Sequence, residues 1–223
     1  MKGRHELKHY INASDYAALC ARLRAVAKLD ENVRGNSSGY IIRSLYFDNY
    51  ADKAVVEKLS GLSRREKFRL RYYNYDVSFI RLERKSKANR LAYKEDAPIT
   101  AEQCRALLAG DYNCLKLGNS PLMMELYTKI HYQNLRPRII VDYHREAYIY
   151  RAGNVRITLD SNIRTSNSVS GFLDPKLPTV PAASATIMEI KFDGFLPDVI
   201  RDIIQINARN QTEFSKYIVA RLV

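Results

Sequence analysis

Five segments of this chain alternate charged and apolar side chains with a period of two, and in most of them the charged set is rich in Lys and Arg. A strand's side chains point to opposite faces in turn, so such a segment separates into two faces. In residues 64–73, Arg65, Lys67, Arg69, Arg71 and Tyr73 share one face and Phe68, Leu70 and Tyr72 the other. In 79–87, Arg81, Glu83, Lys85 and Lys87 oppose Ile80 and Leu82; in 4–11, Arg4, Glu6, Lys8 and Tyr10 oppose Leu7 and Ile11. Arg156, Thr158 and Asp160 oppose Val155, Ile157 and Leu159, and Glu189 and Lys191 oppose Met188, Ile190 and Phe192.

An antiparallel sheet with its apolar face on a core and its charged face in water is the ordinary outcome of such alternation. Here, however, basic residues with a minority of Glu recur in strand after strand, where a solvated face would use more Thr, Ser and Gln. A closed sheet with helices on its apolar outside turns these charges inward. So many like charges are not desolvated without counter-ions, so that interior is a hydrated basic tunnel whose natural content is a polyanion. Lys plus Arg number 36 against 24 Asp plus Glu, a formal charge of +12, which agrees with an anionic partner.

The remaining organisation is that of one globular domain over residues 1–223, with 46% hydrophobic residues to build a core. Helices are expected at 14–28, with Ser14 as N-cap, at 100–109, where Thr100 and Gln103 make a capping-box pattern, and at 120–132, 197–206 and 212–222. Strands are expected at 4–11, 40–47, 64–74, 78–87, 90–96, 138–150, 154–160 and 186–192. Eight strands with interspersed helices give an α+β fold whose sheet is large enough to curl or close. Residues 161–183, broken by Ser, Asn and Pro, read as an exposed loop.

Several chemistries are excluded. Cys20, Cys104 and Cys114 show no C-x-x-C spacing and read as isolated thiols; His5, Glu6 and His9 spell H-E-x-x-H, but the segment reads as a strand rather than the helix that brings the two His onto one metal, so zinc is discounted. There is no G-x-x-x-x-G-K-[ST] phosphate loop. No apolar run reaches the length of a membrane span and the N-terminus is charged, so the expected location is cytoplasmic.

The ordered set E-L-K (Glu6 to Lys8), R-S-L-Y-F-D (Arg43 to Asp48), K-F-R-L-R-Y-Y (Lys67 to Tyr73), L-E-R-K-S-K (Leu82 to Lys87), Y-H-R-E-A-Y (Tyr143 to Tyr148), V-R-I-T-L-D (Val155 to Asp160), M-E-I-K-F (Met188 to Phe192) and F-S-K-Y (Phe214 to Tyr217) resembles the VTC domain. This is the polyphosphate-polymerase domain of the vacuolar transporter chaperone family, among the triphosphate tunnel metalloenzymes. The resemblance implies an eight-stranded antiparallel barrel, the triphosphate tunnel, with helices packed outside. It implies transfer of the ATP γ-phosphate to a growing inorganic polyphosphate chain with Mn²⁺ or Mg²⁺ as cofactor. Carried over residue by residue, the phosphate ligands are Lys8, Arg69, Arg71, Lys85, Lys94, Arg145, Arg156 and Lys216, and the metal ligand is Glu189. Glu83, Lys87 and Lys191 project on the same faces as secondary candidates. Arg43 shares a face with Leu45 and Phe47 and so points away from the tunnel.

The partners implied are ATP and inorganic polyphosphate, with a membrane protein as a candidate acceptor of the product, and not nucleic acid. A sheet that stacks nucleic-acid bases should mix exposed aromatics with its basic residues, and these faces are mostly Lys, Arg and Glu. One departure stands out: Glu213 occupies a position where polymerases of this family carry a second Lys. That loss of positive charge leans toward a tripolyphosphatase or nucleoside triphosphatase using the same cradle, and a non-catalytic polyphosphate-binding module is the third alternative. Without a further phosphate-sensing domain or membrane span, a free-standing catalytic domain of bacterial type is expected.

Overall fold

The computed structural model describes residues 4–31, 39–88, 91–118, 120–206 and 211–223. Among these residues ten strands form one antiparallel sheet: β1 (His5–Ile11), β2 (Lys28–Leu29), β3 (Tyr40–Asp48), β4 (Arg65–Tyr73), β5 (Asp76–Ala88), β6 (Leu91–Ile99), β7 (Arg136–Tyr150), β8 (Val155–Ser166), β9 (Val180–Ala183) and β10 (Thr186–Phe192). Eight of them run in the order β1-β10-β8-β7-β3-β4-β5-β6, with β2 added to β7 and β9 to β8. The path curls until its two ends touch, where Arg4 bridges Ala92 and its N–H donates to the Ala92 carbonyl at 3.4 Å. The eight expected strands are thus the eight of the curled path, and the two additional strands are short extensions of long neighbours.

Among the described residues six α-helices cover the sheet: α1 (Ala13–Val26), α2 (Lys53–Leu59), α3 (Ala101–Leu108), α4 (Pro121–Gln133), α5 (Asp198–Ile204) and α6 (Lys216–Arg221). The N-cap of α1 is Asn12 rather than Ser14. Asn12 accepts from the Asp15 N–H at 2.8 Å while Asp15 accepts from the Asn12 N–H at 3.1 Å, a reciprocal box that Ser14, two residues later, cannot make. Thr100 and Gln103 make the expected box at the start of α3. Helix α2 was not expected, because its start is held from upstream: the carboxylate of Asp48 and the side chain of Asn49 accept the N–H groups of Ala54 and Lys53.

The outward faces of β4 and β5, with Phe68, Leu70, Tyr72 and Leu82, pack on Leu107 of α3 and on Leu122, Leu126 and Ile130 of α4. Each such fully buried side chain contributes about 1.5–3 kcal/mol. On the other side, Ile157, Leu159, Met188 and Ile190 pack on Leu19 and Leu23 of α1 and Ile200 of α5. Helix α6 is placed differently: Tyr217 and Ala220, with Phe214, pack on Tyr46, Val141 and Tyr143, on the enclosed side of the sheet. Cys20, Cys104 and Cys114 are free and buried.

The segment 161–183 is ordered structure rather than an open loop. Strand β8 continues to Ser166, residues Val169–Leu173 form a 3-10 turn, and β9 pairs back on β8. Phe172 is fully buried against Tyr72, edge to face at 5.1 Å between centroids. Beneath it, Arg43 forks onto both oxygens of Asp142 at 2.8 Å and donates to the carbonyls of Phe172 and Asp174. One buried aromatic and one buried guanidinium therefore organise a stretch whose Ser, Asn and Pro content hides it, and Arg43 serves the outer face as its parity requires.

Candidate functional site: a basic cavity inside the curled sheet

The concave face encloses a cavity of about 180 Å³. Strand alternation delivers its lining: Lys8 from β1, Lys67, Arg69 and Arg71 from β4, Lys85 and Lys87 from β5, Tyr143 and Arg145 from β7, and Glu189 from β10. Lys216, at the first position of α6, completes it from the C-terminal side. Lys8, Arg69, Arg71, Lys85, Lys87, Arg145, Lys216 and Glu189 are thus brought together around one space.

Four other candidates lie off that lining. Lys94 is 46% exposed and pairs with Glu83 at 2.8 Å and Asp96 at 3.4 Å. Arg156 pairs with Asp30 at 2.5 Å and donates to the Tyr40 hydroxyl at 3.0 Å, and in register it faces Ile149 and Lys191. Glu83 is buried behind the lining, where it accepts from Arg69 Nε at 2.7 Å and lies 3.9 Å from Arg71. Lys191 stands 3.4 Å from Glu189 and 3.9 Å from Glu6.

Each inward guanidinium is aimed by neutral or acidic neighbours. Arg69 donates to Glu83 and to the Tyr46 hydroxyl at 3.1 Å, and Arg71 donates to Ser44 Oγ at 3.0 Å and the Tyr143 hydroxyl at 2.8 Å. Arg145 forks onto Asp160, which also pairs with Lys216 at 2.5 Å. Lys67 Nζ lies 3.2 Å from Ser215 Oγ. Held this way, the donors are oriented before any anion arrives.

The acidic part of the site is a checkerboard on β1 and β10, where Lys8 faces Glu189 and Glu6 faces Lys191. Glu189 makes its ion pairs at 3.4, 3.6 and 3.9 Å, with Lys191, Arg145 and Lys8. These are longer than the charge-assisted hydrogen bonds of about 2.7–2.9 Å that would saturate its oxygens. Burial opposes the charge on Glu189, but Lys191, Lys8, Lys85 and Arg145 outweigh it and hold the carboxyl well below its usual range. Burial also opposes the charge on Lys8, which the carboxylates of Glu189 and Glu6 more than restore. Lys85 is held well below the usual lysine value, first by the Lys191 ammonium and then by burial. Among the described residues no three His, Cys, Asp or Glu side chains converge to hold a metal by themselves.

Sequence reasoning passed over Lys67, although it shares a face with Arg69 and the same alternation marks it. It also passed over Glu6, Tyr46, Tyr143 and Asp160, which touch the site or hold its cations. Lys58 and Ser215 carry no periodic signal, since they reach the cavity through α2 and the C-terminal return of the chain.

A curled antiparallel sheet whose enclosed face gathers Lys and Arg with a minority of Glu defines a protein of the triphosphate-tunnel fold. The chain belongs to the VTC domain family, whose model matches residues 3–223. Among solved structures it is similar to a Bacillus halodurans protein described as an adenylate cyclase candidate, with 13% identity, a TM-score of 0.57, and coverage of 96% of this chain and 94% of that one. It also matches an adenylate cyclase candidate from Vibrio parahaemolyticus at 10% identity and TM-score 0.46, covering 90% and 82% of the two chains. A Pyrococcus horikoshii OT3 protein matches at 14% identity and TM-score 0.43, covering 90% and 84%. At these identities the Bacillus halodurans likeness speaks to the fold alone. No curated protein matches the chain. Among the described residues no helix is long and apolar enough to cross a membrane.

Proposed function

We propose that this protein is a metal-dependent polyphosphate polymerase that transfers the ATP γ-phosphate to a growing inorganic polyphosphate chain. The observation that carries the reading is the convergence of Lys8, Lys67, Arg69, Arg71, Lys85, Arg145 and Lys216 on one cavity that also holds Glu189. Phosphoryl transfer needs in-line positioning and neutralisation of charge on the transferred group more than it needs a protein nucleophile. Arg69, Arg71 and Arg145 orient phosphate oxygens through fixed forks, and Lys8, Lys67, Lys85 and Lys216 act as point charges. The attacking phosphate of a polymer is already ionised, so no strong general base is required.

Glu189 and Glu6 fit Mn²⁺ or Mg²⁺, because such ions take oxygen ligands and complete their shell with phosphate oxygens and water. A bound ion would neutralise charge on the phosphate oxygens. The chain's own residues then hold the substrate, orient it and exclude water. ATP and inorganic polyphosphate are the substrates, the protein works in the cytoplasm, and a membrane protein is the candidate acceptor of the product.

A tripolyphosphatase or nucleoside triphosphatase is the second reading. It is favoured by Glu213, whose carboxylate lies against Lys58, Arg65 and Lys87 and lowers the positive charge along the path of a growing chain. Incubation of the purified protein with ATP and Mn²⁺ or Mg²⁺, with phosphate products resolved on a gel, separates the two. Long polyphosphate that disappears in Lys85→Ala and Glu189→Ala supports the polymerase. Free phosphate alone moves the assignment to the hydrolase, and tight triphosphate binding without turnover makes the protein a binding module.

A further inference from the structure

At the edge of the cavity, where the chain returns to the sheet after α5, three basic side chains converge on one carboxylate. Lys58 of α2 donates to Glu213 Oε2, Arg65 Nη2 lies 3.5 Å from the same oxygen, and Lys87 Nζ lies 3.6 Å from Oε1. All four line the same cavity as the inner cradle. The cations are the sheltered partners: the Lys58, Arg65 and Lys87 side chains are 16%, 18% and 33% exposed, against 69% for Glu213.

The backbone of this segment is anchored to the sheet, while its carboxylate is the exposed member of the cluster. Thr212 donates its N–H to the Lys8 carbonyl at 2.8 Å, Gln211 bridges His9, and the Phe214 carbonyl accepts from Lys8 Nζ at 3.2 Å. The Glu213 carboxylate is therefore presented from an anchored backbone at the surface. Its pairs are of the exposed kind that salt screens and competitors displace. Successive phosphates of a chain each bring a negative charge, so several of them together outcompete one carboxylate for this trio, and each can accept the Arg65 fork bidentately.

We propose that Lys58, Arg65 and Lys87 form an outer anion subsite for the distal phosphates of a linear phosphoanhydride chain, with Glu213 as a built-in displaceable competitor. The inference rests on phosphate binding by the inner cradle. A triphosphate occupies that cradle and leaves Glu213 in place. A longer chain reaches the trio and must displace the carboxylate, so Glu213 sets the preference between short and long ligands.

Calorimetric titration of the whole chain with inorganic tripolyphosphate and with medium-chain inorganic polyphosphate, in the wild type and in Glu213→Gln, tests this. Glu213→Gln should tighten the long ligand about fivefold while moving tripolyphosphate less than about twofold, and adding Lys87→Ala should reverse the gain. Equal changes for both ligands, or no change for the long one, overturn the inference while leaving the cradle intact. Failure of the wild type to bind tripolyphosphate at all overturns the cradle reading and the outer subsite together. Glu213 is an exposed side chain, and an unaltered thermal midpoint for Glu213→Gln confirms that folding does not enter the comparison.

Discussion

Lys67 stands directly opposite Lys85 across β4 and β5, and Lys85 in turn faces Lys94 across β5 and β6. Like charges placed directly opposite one another destabilise a sheet. Lys191 and burial add to the strain on Lys85 by holding its charged form at a disadvantage. Such a row is tolerable in a site that an anion fills. Lys85→Met should therefore raise the stability of the ligand-free protein by about 1 kcal/mol in urea denaturation. The same change should weaken tripolyphosphate binding at least about tenfold. Lower stability with unchanged affinity would show that the charge row is structural.

Binding should take up protons near pH 8. Burial lowers Lys67 to about 8. Burial raises the Tyr46 phenol, but Arg69, Arg71 and Lys67 outweigh it and bring it down to about 8. A bound polyanion favours the protonated form of both groups, so affinity should fall as pH rises through about 8. Calorimetry in buffers of different ionisation enthalpy should detect uptake of about one proton at pH 8, and less in Lys67→Met. In the free protein the sign is opposite. Between about 8 and the ordinary values of 10.5 and 10.0 the unfolded chain holds protons that the folded one has released, so these two groups make stability rise with pH across that window.

Asp160 anchors two cations of the cradle at once, Arg145 through a fork at 2.6 and 2.7 Å and Lys216 at 2.5 Å. Its side chain is fully buried, and despite that burial Arg145 and Lys216 hold the carboxyl down at about 2. Asp160→Asn leaves both cations enclosed without a counter-ion and should cost about 3–5 kcal/mol. Tripolyphosphate should restore more thermal stability to the variant than to the wild type, because it supplies the missing charge. In the wild type, the contribution of Asp160 is present above its ordinary value of 3.8 and is lost as pH falls through about 2. A variant as stable as the wild type would show that the pair is dispensable.

The strands and the inward face were legible because alternation is a local signal that the sheet enforces at every second residue, and it marked Arg69, Lys85 and Glu189 alike. The same parity correctly sent Arg43 to the outer face. What escaped the sequence depends on contacts distant along the chain. Helix α2 starts on the Asp48 carboxylate, which also accepts from the Tyr217 hydroxyl at 2.6 Å, a contact 169 residues away. Phe172 in a Ser- and Pro-rich stretch looks like a loop residue until Tyr72 is found beneath it. Alternation also does not tell which inward side chain reaches the cavity. Lys94 and Arg156 share the inward parity, yet their charges are taken up by Glu83 and Asp30.

Glu83 and Glu189, the two carboxylates that the sequence singles out, should separate by their metal dependence. Glu83 is spent on holding basic side chains: Arg69 at 2.7 Å, Lys94 at 2.8 Å and Arg71 at 3.9 Å. Those cations, against the opposing effect of burial, keep its carboxyl far below the usual range. Among the described residues the ion pairs of Glu189 are all 3.4 Å or longer, and it lies on the cavity. Glu83→Gln should lose roughly 3 kcal/mol of stability and weaken tripolyphosphate binding through Arg69, while the Mn²⁺ concentration for half-maximal turnover stays as in the wild type. Glu189→Gln should keep the fold and lose metal-dependent turnover, or require far more Mn²⁺. Titration of both variants with Mn²⁺ at saturating ATP makes the comparison. A shifted metal requirement in Glu83→Gln, with none in Glu189→Gln, would reverse the two roles.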